Sequence, residues 1–183
     1  MTAAPRGLFV GRFQPFHRGH LEVLRRIRAK RPRSPIVLGI GSAQESYTWQ
    51  NPFTAGERFE MIEAAVAEAR MPGILPVPIP DIQRHALWVR YLEGLLPPVR
   101  WVYTNNPLTR SLFEEAGYAV ESTGLLQRAT WIGEGIRASL ARGDPVADRV
   151  PPAVASWLAR HGGPARLRLL APPALETRRS PDA

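Results

Sequence analysis

The chain opens on a strand, a glycine and a helix placed end to end, and no other segment restricts its folding so closely. Leu8-Phe9-Val10 is a short apolar run, Gly11 follows it, and Leu21, Val23, Leu24 and Ile27 recur beyond it at helical spacing. Between them lies Gly11-Arg12-Phe13-Gln14-Pro15-Phe16-His17-Arg18-Gly19-His20. A strand that feeds straight into a helix begins a crossover, and crossovers join parallel strands. The intervening loop then directs backbone N–H groups, a helix N-terminus and cationic side chains at one spot, which suits a phosphate.

The same alternation continues along the chain. Residues 7–11 read as a strand and 19–30 as a helix stopped by Pro32 and Pro35. Ile36-Val37-Leu38-Gly39-Ile40-Gly41 is apolar throughout, as a strand buried on both faces must be. Thr54 and Glu57 form a capping box ahead of a helix with Phe59, Ile62, Val66 and Ala69 on one stripe. Ile74-Leu75-Pro76-Val77-Pro78-Ile79-Pro80 alternates proline with apolar residues and is expected at a sheet edge. Trp88, Leu92 and Leu95 mark a helix ending at Pro97-Pro98, and Trp101–Thr104 is a strand. Leu108, Leu112, Phe113 and Ala116 mark a helix closed by Gly117, followed by a fifth strand over Tyr118–Val120. Two more helices are expected over about 133–141 and 152–161.

Strands alternating with helices give a parallel sheet covered on both faces. The expected fold is α/β: a Rossmann-like, doubly wound sheet of about five strands flanked by helices, with a small C-terminal helical part. We expect one domain over 1–171, its helical part at about 130–165, and a disordered Pro-, Arg- and Ser-rich tail over 172–183. Ligands of such sheets bind beyond the carboxyl ends of the strands, the edge that carries the double-histidine loop.

Composition narrows the class further. No run of about 18 uninterrupted apolar residues argues for a membrane span. The absence of cysteine excludes disulfides and thiolate metal sites, and together with an N-terminus lacking an apolar signal core it points to the cytoplasm. The net charge of +8 comes from 24 basic and 16 acidic residues, and Lys30 is the only lysine. Arginine suits planar contacts to phosphate, although a GC-rich coding bias gives the same skew. The charge alone fits nucleotide or nucleic acid. His17 and His20 share a helix face, but no third ligand lies nearby to complete a metal site; as donors they fit phosphate oxygens. Arg12 and Arg18 flank them, and Arg18 reads as solvated.

Gly11–His20 resembles the signature of the nucleotidylyltransferase superfamily, a paired-histidine motif after the first strand. More closely, the chain is similar to the archaeal-type nicotinamide-nucleotide adenylyltransferases from about residue 6 to 160. Gly41-Ser42-Ala43-Gln44, Asn51-Pro52-Phe53-Thr54-Ala55-Gly56-Glu57-Arg58, and Asp81-Ile82 followed by Ala86-Leu87-Trp88-Val89 support this. The resemblance implies that ATP and nicotinamide mononucleotide (NMN) give NAD and pyrophosphate, by in-line attack of the NMN phosphate on the α-phosphorus. It implies catalytic roles for His17, His20, Arg12 and Arg137, with Gly11, Phe13, Gly19, Gly133 and Ile136 lining the ATP site. Mg²⁺ is expected on the nucleotide phosphates rather than in a protein cage. A homo-oligomer, with the hexamer among its forms, is implied as well; Trp49 and Trp157 read as exposed apolar residues that support it.

For the acceptor, the resemblance implies Trp88, His85, Asp81 and Asn105. Trp88 can stack on a flat cationic ring, or pack in the core with Leu92 and Leu95. His85 stands where relatives carry asparagine. Asp81 reads equally as a helix cap or a ligand contact, and Asn105 also fits a turn before Pro107. The second family motif departs here, with Ile132 and Glu134 where hydroxyls are expected; Glu134 also suits the first turn of a helix, and the N–H groups of residues 133–136 can still cradle phosphate. Two other readings stay open: an adenylyltransferase acting on phosphopantetheine or flavin mononucleotide, and a nucleotide- or RNA-binding regulator with weakened catalysis.

Overall fold

The structure, a computed structural model, describes residues 4–124 and 131–176. Five strands form one sheet: β1 (Arg6–Gly11), β2 (Ile36–Ile40), β3 (Ile74–Pro78), β4 (Val99–Tyr103) and β5 (Ala119–Glu121). Their order is β3-β2-β1-β4-β5 and every pairing is parallel. The helices between strands are α1 (Arg18–Lys30), α2 (Ala55–Glu68), α3 (His85–Leu95) and α4 (Pro107–Glu115). Beyond β5 come α5 (Gly133–Arg142), α6 (Pro152–Arg160), α7 (Gly163–Leu170) and the single turn α8 (Pro173–Glu176). Strand order reverses at β1, which pairs with β2 on one side and β4 on the other, so the switch point lies where the double-histidine loop leaves the sheet.

Side-chain alternation along β1 sorts the core into two layers. Phe9 faces α1, α2 and the C-terminal helices through Leu24, Met61 and Leu158, whereas Leu8 faces α3 and α4 through Val89, Leu92 and Phe113. All five residues of β2 are buried, because helices cover both of its faces. β3 is an edge strand, as its prolines require; they lie in a ladder with β2 alone. The capping box of α2 forms as expected: Glu57 N–H donates to Thr54 Oγ1 at 3.2 Å, and Thr54 N–H donates to Glu57 Oε2 at 2.8 Å. Asn106 caps α4 by accepting Thr109 N–H at 2.9 Å, with Pro107 at the first helical position.

Several expectations are corrected. Leu95 is 39% exposed, and the inward face of α3 is Val89 and Leu92, with Trp88 half-buried on its flank. Tyr118 precedes β5 and packs its ring edge-on to Phe113. Trp157 is not exposed: it is 4% accessible, and its Nε1–H donates to Glu60 Oε2 at 2.8 Å. Trp49 is half-buried against the same core. The helix α7 was not anticipated, although Gly162-Gly163-Pro164 is a start signal with proline in the first turn. Within the expected tail, 173–176 are helical, and 177–183 lie outside the described residues, as do 125–130 with Thr130 of the second motif. Among the described residues no helix is long and apolar enough to cross a membrane.

Candidate active site

The loop after β1 is built around Phe13. Its φ is +53°, uncommon for a bulky residue, and its side chain is 1% exposed. The ring packs edge-on against His20 at 4.7 Å between centroids, while Phe16 lies 5.4 Å from the same imidazole. Phe13 and Phe16 therefore form an apolar wall behind His20. A Cβ on Gly11 would fall 2.9 Å from the Phe13 ring, so glycine there makes room for the turn. Gly19 serves His17 in the same way, since a Cβ would meet its ring at 3.0 Å and the Cβ of Trp131 at 3.2 Å.

Gln14 fixes the loop from below. Its Nε2–H donates to Phe53 O at 2.9 Å, and Phe53 N–H donates to its Oε1 at 3.0 Å. Both bonds are buried, so the amide side chain replaces a strand partner for residue 53. Arg18 is not a solvated side chain: its Nη2 donates to Ala147 O at 3.1 Å and its backbone N–H to Arg149 O at 2.9 Å.

The two imidazoles stack at 3.5 Å between centroids, 21° from parallel. Burial lowers the pKa of His17 to about 4, and burial followed by the neighbouring His17 holds His20 well below its ordinary value. Both rings are therefore neutral donors near neutral pH, and a nearby polyanion would raise their proton affinity.

Arginines complete the electropositive floor. Arg137 is buried, and its Nη1 donates to Gln14 O at 2.9 Å, which ties α5 to the histidine loop. Its Nε has no hydrogen-bond partner among the described residues. Its pKa falls to about 10 through burial and the charge of Arg12, with Glu134 acting the other way. Arg12 is itself exposed, at the mouth of this region. Arg58, which sequence reasoning passed over, is fully buried beneath the same loop. Buried arginine has no periodic signature, because arginine on a helix ordinarily faces solvent.

At the start of α5 the expectation for Ile136 is corrected. Its N–H is already spent on Ile132 O at 3.1 Å, and its side chain is fully buried. Gly133, Glu134 and Gly135 supply the N–H groups of the first turn. A Cβ on Gly133 would meet Arg137 Nη1 at 3.3 Å and Gln14 O at 3.4 Å, so the helix start lies close against the loop. Glu134 is exposed.

A cavity of about 380 Å³ lies beside this floor, between the loops after β2, β3 and β4. Trp88, His85 and Asp81 line it, as does Gln44. Trp88 meets Phe113 edge-on at 5.6 Å, so its indole is braced from the core side. Asp81 is not a helix cap, since Arg84 holds that position in α3. Its carboxylate accepts the Ser42 hydroxyl at 2.6 Å, and its backbone N–H donates to Gln44 Oε1 at 2.9 Å. Asn106 lines the cavity, whereas Asn105 is engaged elsewhere: its Oδ1 accepts from Ser122 and Thr123, and its Nδ2 donates to Gly124 O at 2.9 Å.

Residues 8–139 match a family model described as cytidylyltransferase-like. The nicotinamide-nucleotide adenylyltransferases of Picrophilus torridus and Methanosphaerula palustris are 47% and 46% identical to this chain, over 89% and 91% of it and 95% and 97% of their own lengths. That of Thermoplasma acidophilum is 44% identical over 90% of this chain and 91% of its own. A solved bifunctional NMN adenylyltransferase/ADP ribose pyrophosphatase from Francisella tularensis, in complex with AMP and a manganese ion, shares the fold with a TM-score of 0.75 at 19% identity. The match covers 92% of this chain and about half, 52%, of that protein.

Proposed function

This chain belongs to the cytidylyltransferase-like family, and from that premise we propose that it joins ATP and NMN to give NAD and pyrophosphate. An oxygen of the NMN phosphate attacks the α-phosphorus of ATP, and the bond from that phosphorus to the bridging oxygen of pyrophosphate breaks. No covalent enzyme intermediate is needed. The protein's contribution is positioning and stabilisation of charge.

One observation carries this reading: His17, His20 and, from α5, Arg137 are brought together at the loop after β1, whose middle is pinned by Gln14. Nδ1 of His20 accepts a backbone N–H, so its neutral ring presents Nε2–H as donor to a phosphate oxygen. Arg12 and Arg137 supply the positive field for the triphosphate, and the first turn of α5 adds backbone N–H groups. Trp88 forms the platform for the nicotinamide ring, with His85 and Asp81 at its rim.

Mg²⁺ is assigned to the substrate in this reading, on the phosphate oxygens of ATP, which are hard ligands suited to it. Assembly into a homo-oligomer belongs to the same proposal, and light scattering after gel filtration reads it directly. The main test is pyrophosphate release from ATP, NMN and Mg²⁺, by the wild type and by His20→Ala. A signal in the wild type that collapses in the variant is expected; equal background signals overturn the reading.

A further inference from the structure

Arg58 is a charged side chain with 0% exposure on the first turns of α2. Its four hydrogen bonds all end on neutral carbonyl oxygens. Nε donates to Thr54 O at 3.2 Å, Nη1 to Arg12 O at 3.0 Å and Gly41 O at 2.7 Å, and Nη2 to Ser42 O at 3.0 Å. Among the described residues it forms no ion pair, and burial, followed by the nearby cation Arg12, lowers its pKa to about 10. It remains protonated at neutral pH. A buried cation without a carboxylate is disfavoured, so its position needs a reason beyond packing.

That reason lies in which carbonyls it holds. Arg12 follows the last residue of β1, and Gly41 and Ser42 follow the last residue of β2. At this edge of a parallel sheet, strand-end carbonyl oxygens place negative dipole ends where the ligand sits. A polyanion arriving there would meet unpaired oxygens. We propose that Arg58 is a positioning residue of the nucleotide site: it caps the carboxyl ends of β1 and β2 from within, turning their carbonyls away from the triphosphate and fixing the backbone that carries Arg12. The inference rests on the function proposed above in one respect, that the anion at this edge is the triphosphate of ATP. The incoming phosphates supply the counter-charge that no carboxylate ion pair gives Arg58 among the described residues.

The test compares the affinities of two ligands in the same protein. Arg58→Gln removes the charge and cannot bridge both strand ends. Its Kd for ATP, from equilibrium titration, is expected to rise about tenfold or more, since charge-assisted bonds are the strong ones. Its Kd for adenosine, from NMR titration, should change by less than about threefold, because the nucleoside carries no phosphate charge for the strand ends to repel. Equal weakening of both ligands, as a general lesion would produce, or an unchanged Kd for ATP, overturns the proposal. Should far-UV circular dichroism show that Arg58→Gln does not fold, Arg58→Lys decides by the same comparison. It keeps the charge but offers one ammonium to carbonyls on two loops, so the ATP-selective loss should persist in weaker form. Wild-type protein that binds ATP but releases no pyrophosphate with NMN would refute the acceptor assignment and leave this inference standing.

Discussion

His20 accepts the backbone N–H of His17 through Nδ1 at 3.2 Å while the two imidazoles lie face to face. The contact sets the tautomer of one ring and the orientation of both. His20 is thereby a neutral donor whose direction is fixed before any ligand arrives, which lowers the reorganisation needed during phosphoryl transfer. Replacement by asparagine keeps an N–H donor but displaces it. His20→Asn should lower kcat on the order of 100-fold with little change in the far-UV spectrum, measured by continuous pyrophosphate detection.

Burial of the imidazoles also makes stability depend on pH. As the pH falls, the unfolded chain binds protons at the ordinary value of 6.5, before the folded His17 does so at about 4. Stability is then complete above 6.5 and declines as the pH drops toward 4. For His17 the loss should reach on the order of 3 kcal/mol across that window. Urea denaturation at a series of pH values, for the wild type and for His17→Asn, isolates this contribution; parallel curves for the two proteins would refute it.

Gln14 makes a prediction that separates scaffolding from chemistry. Gln14→Leu removes both bonds to Phe53 and leaves a buried N–H and C=O without partners. The expected loss is about 1–3 kcal/mol for each unsatisfied group. Because Arg137 bonds the carbonyl of the same residue, kcat should fall together with stability. Chemical denaturation and initial rates on one preparation check the pairing.

Trp88 should act on one substrate alone. Trp88→Leu keeps an apolar side chain but removes the aromatic face proposed as the nicotinamide platform. The KM for NMN should rise about two- to thirtyfold, equivalent to about 0.5–2 kcal/mol, while the KM for ATP stays the same. Steady-state kinetics with each substrate varied in turn distinguish this from a general loss of fold.

Sequence patterns reached the architecture because hydrophobic period and breakers act locally. The unbroken apolar run of β2, the prolines of β3 and the Thr54–Glu57 box each dictate a conformation without distant partners. The histidine loop was legible for the same reason, as a short motif between two periodic segments. Long-range polar contacts were not. Arg58, Gln14 and Arg18 are ordinary surface residues until the chain folds and brings carbonyls from 16 to 129 positions away within their reach. Asn105 and Ile136 show the converse. Each lies beside a loop that the motifs single out, but their polar atoms are consumed by bonds to Gly124 and Ile132 that no motif announces. Trp157 looked free because helical spacing cannot show that α6 packs on α2, where Glu60 meets the indole.

The attachment of Arg18 to Ala147 and Arg149 bears on how far this protein can be shortened. A fragment ending at residue 139, where the family model stops, would retain the paired imidazoles and all three guanidinia of the site. It would nevertheless strip the histidine-bearing helix of its anchorage at its leading end and expose the apolar faces that Val154, Trp157 and Leu158 cover. The last helices are thus a buttress for the histidine turn, and trimming them would dismantle the proposed reaction centre without removing any side chain assigned to it.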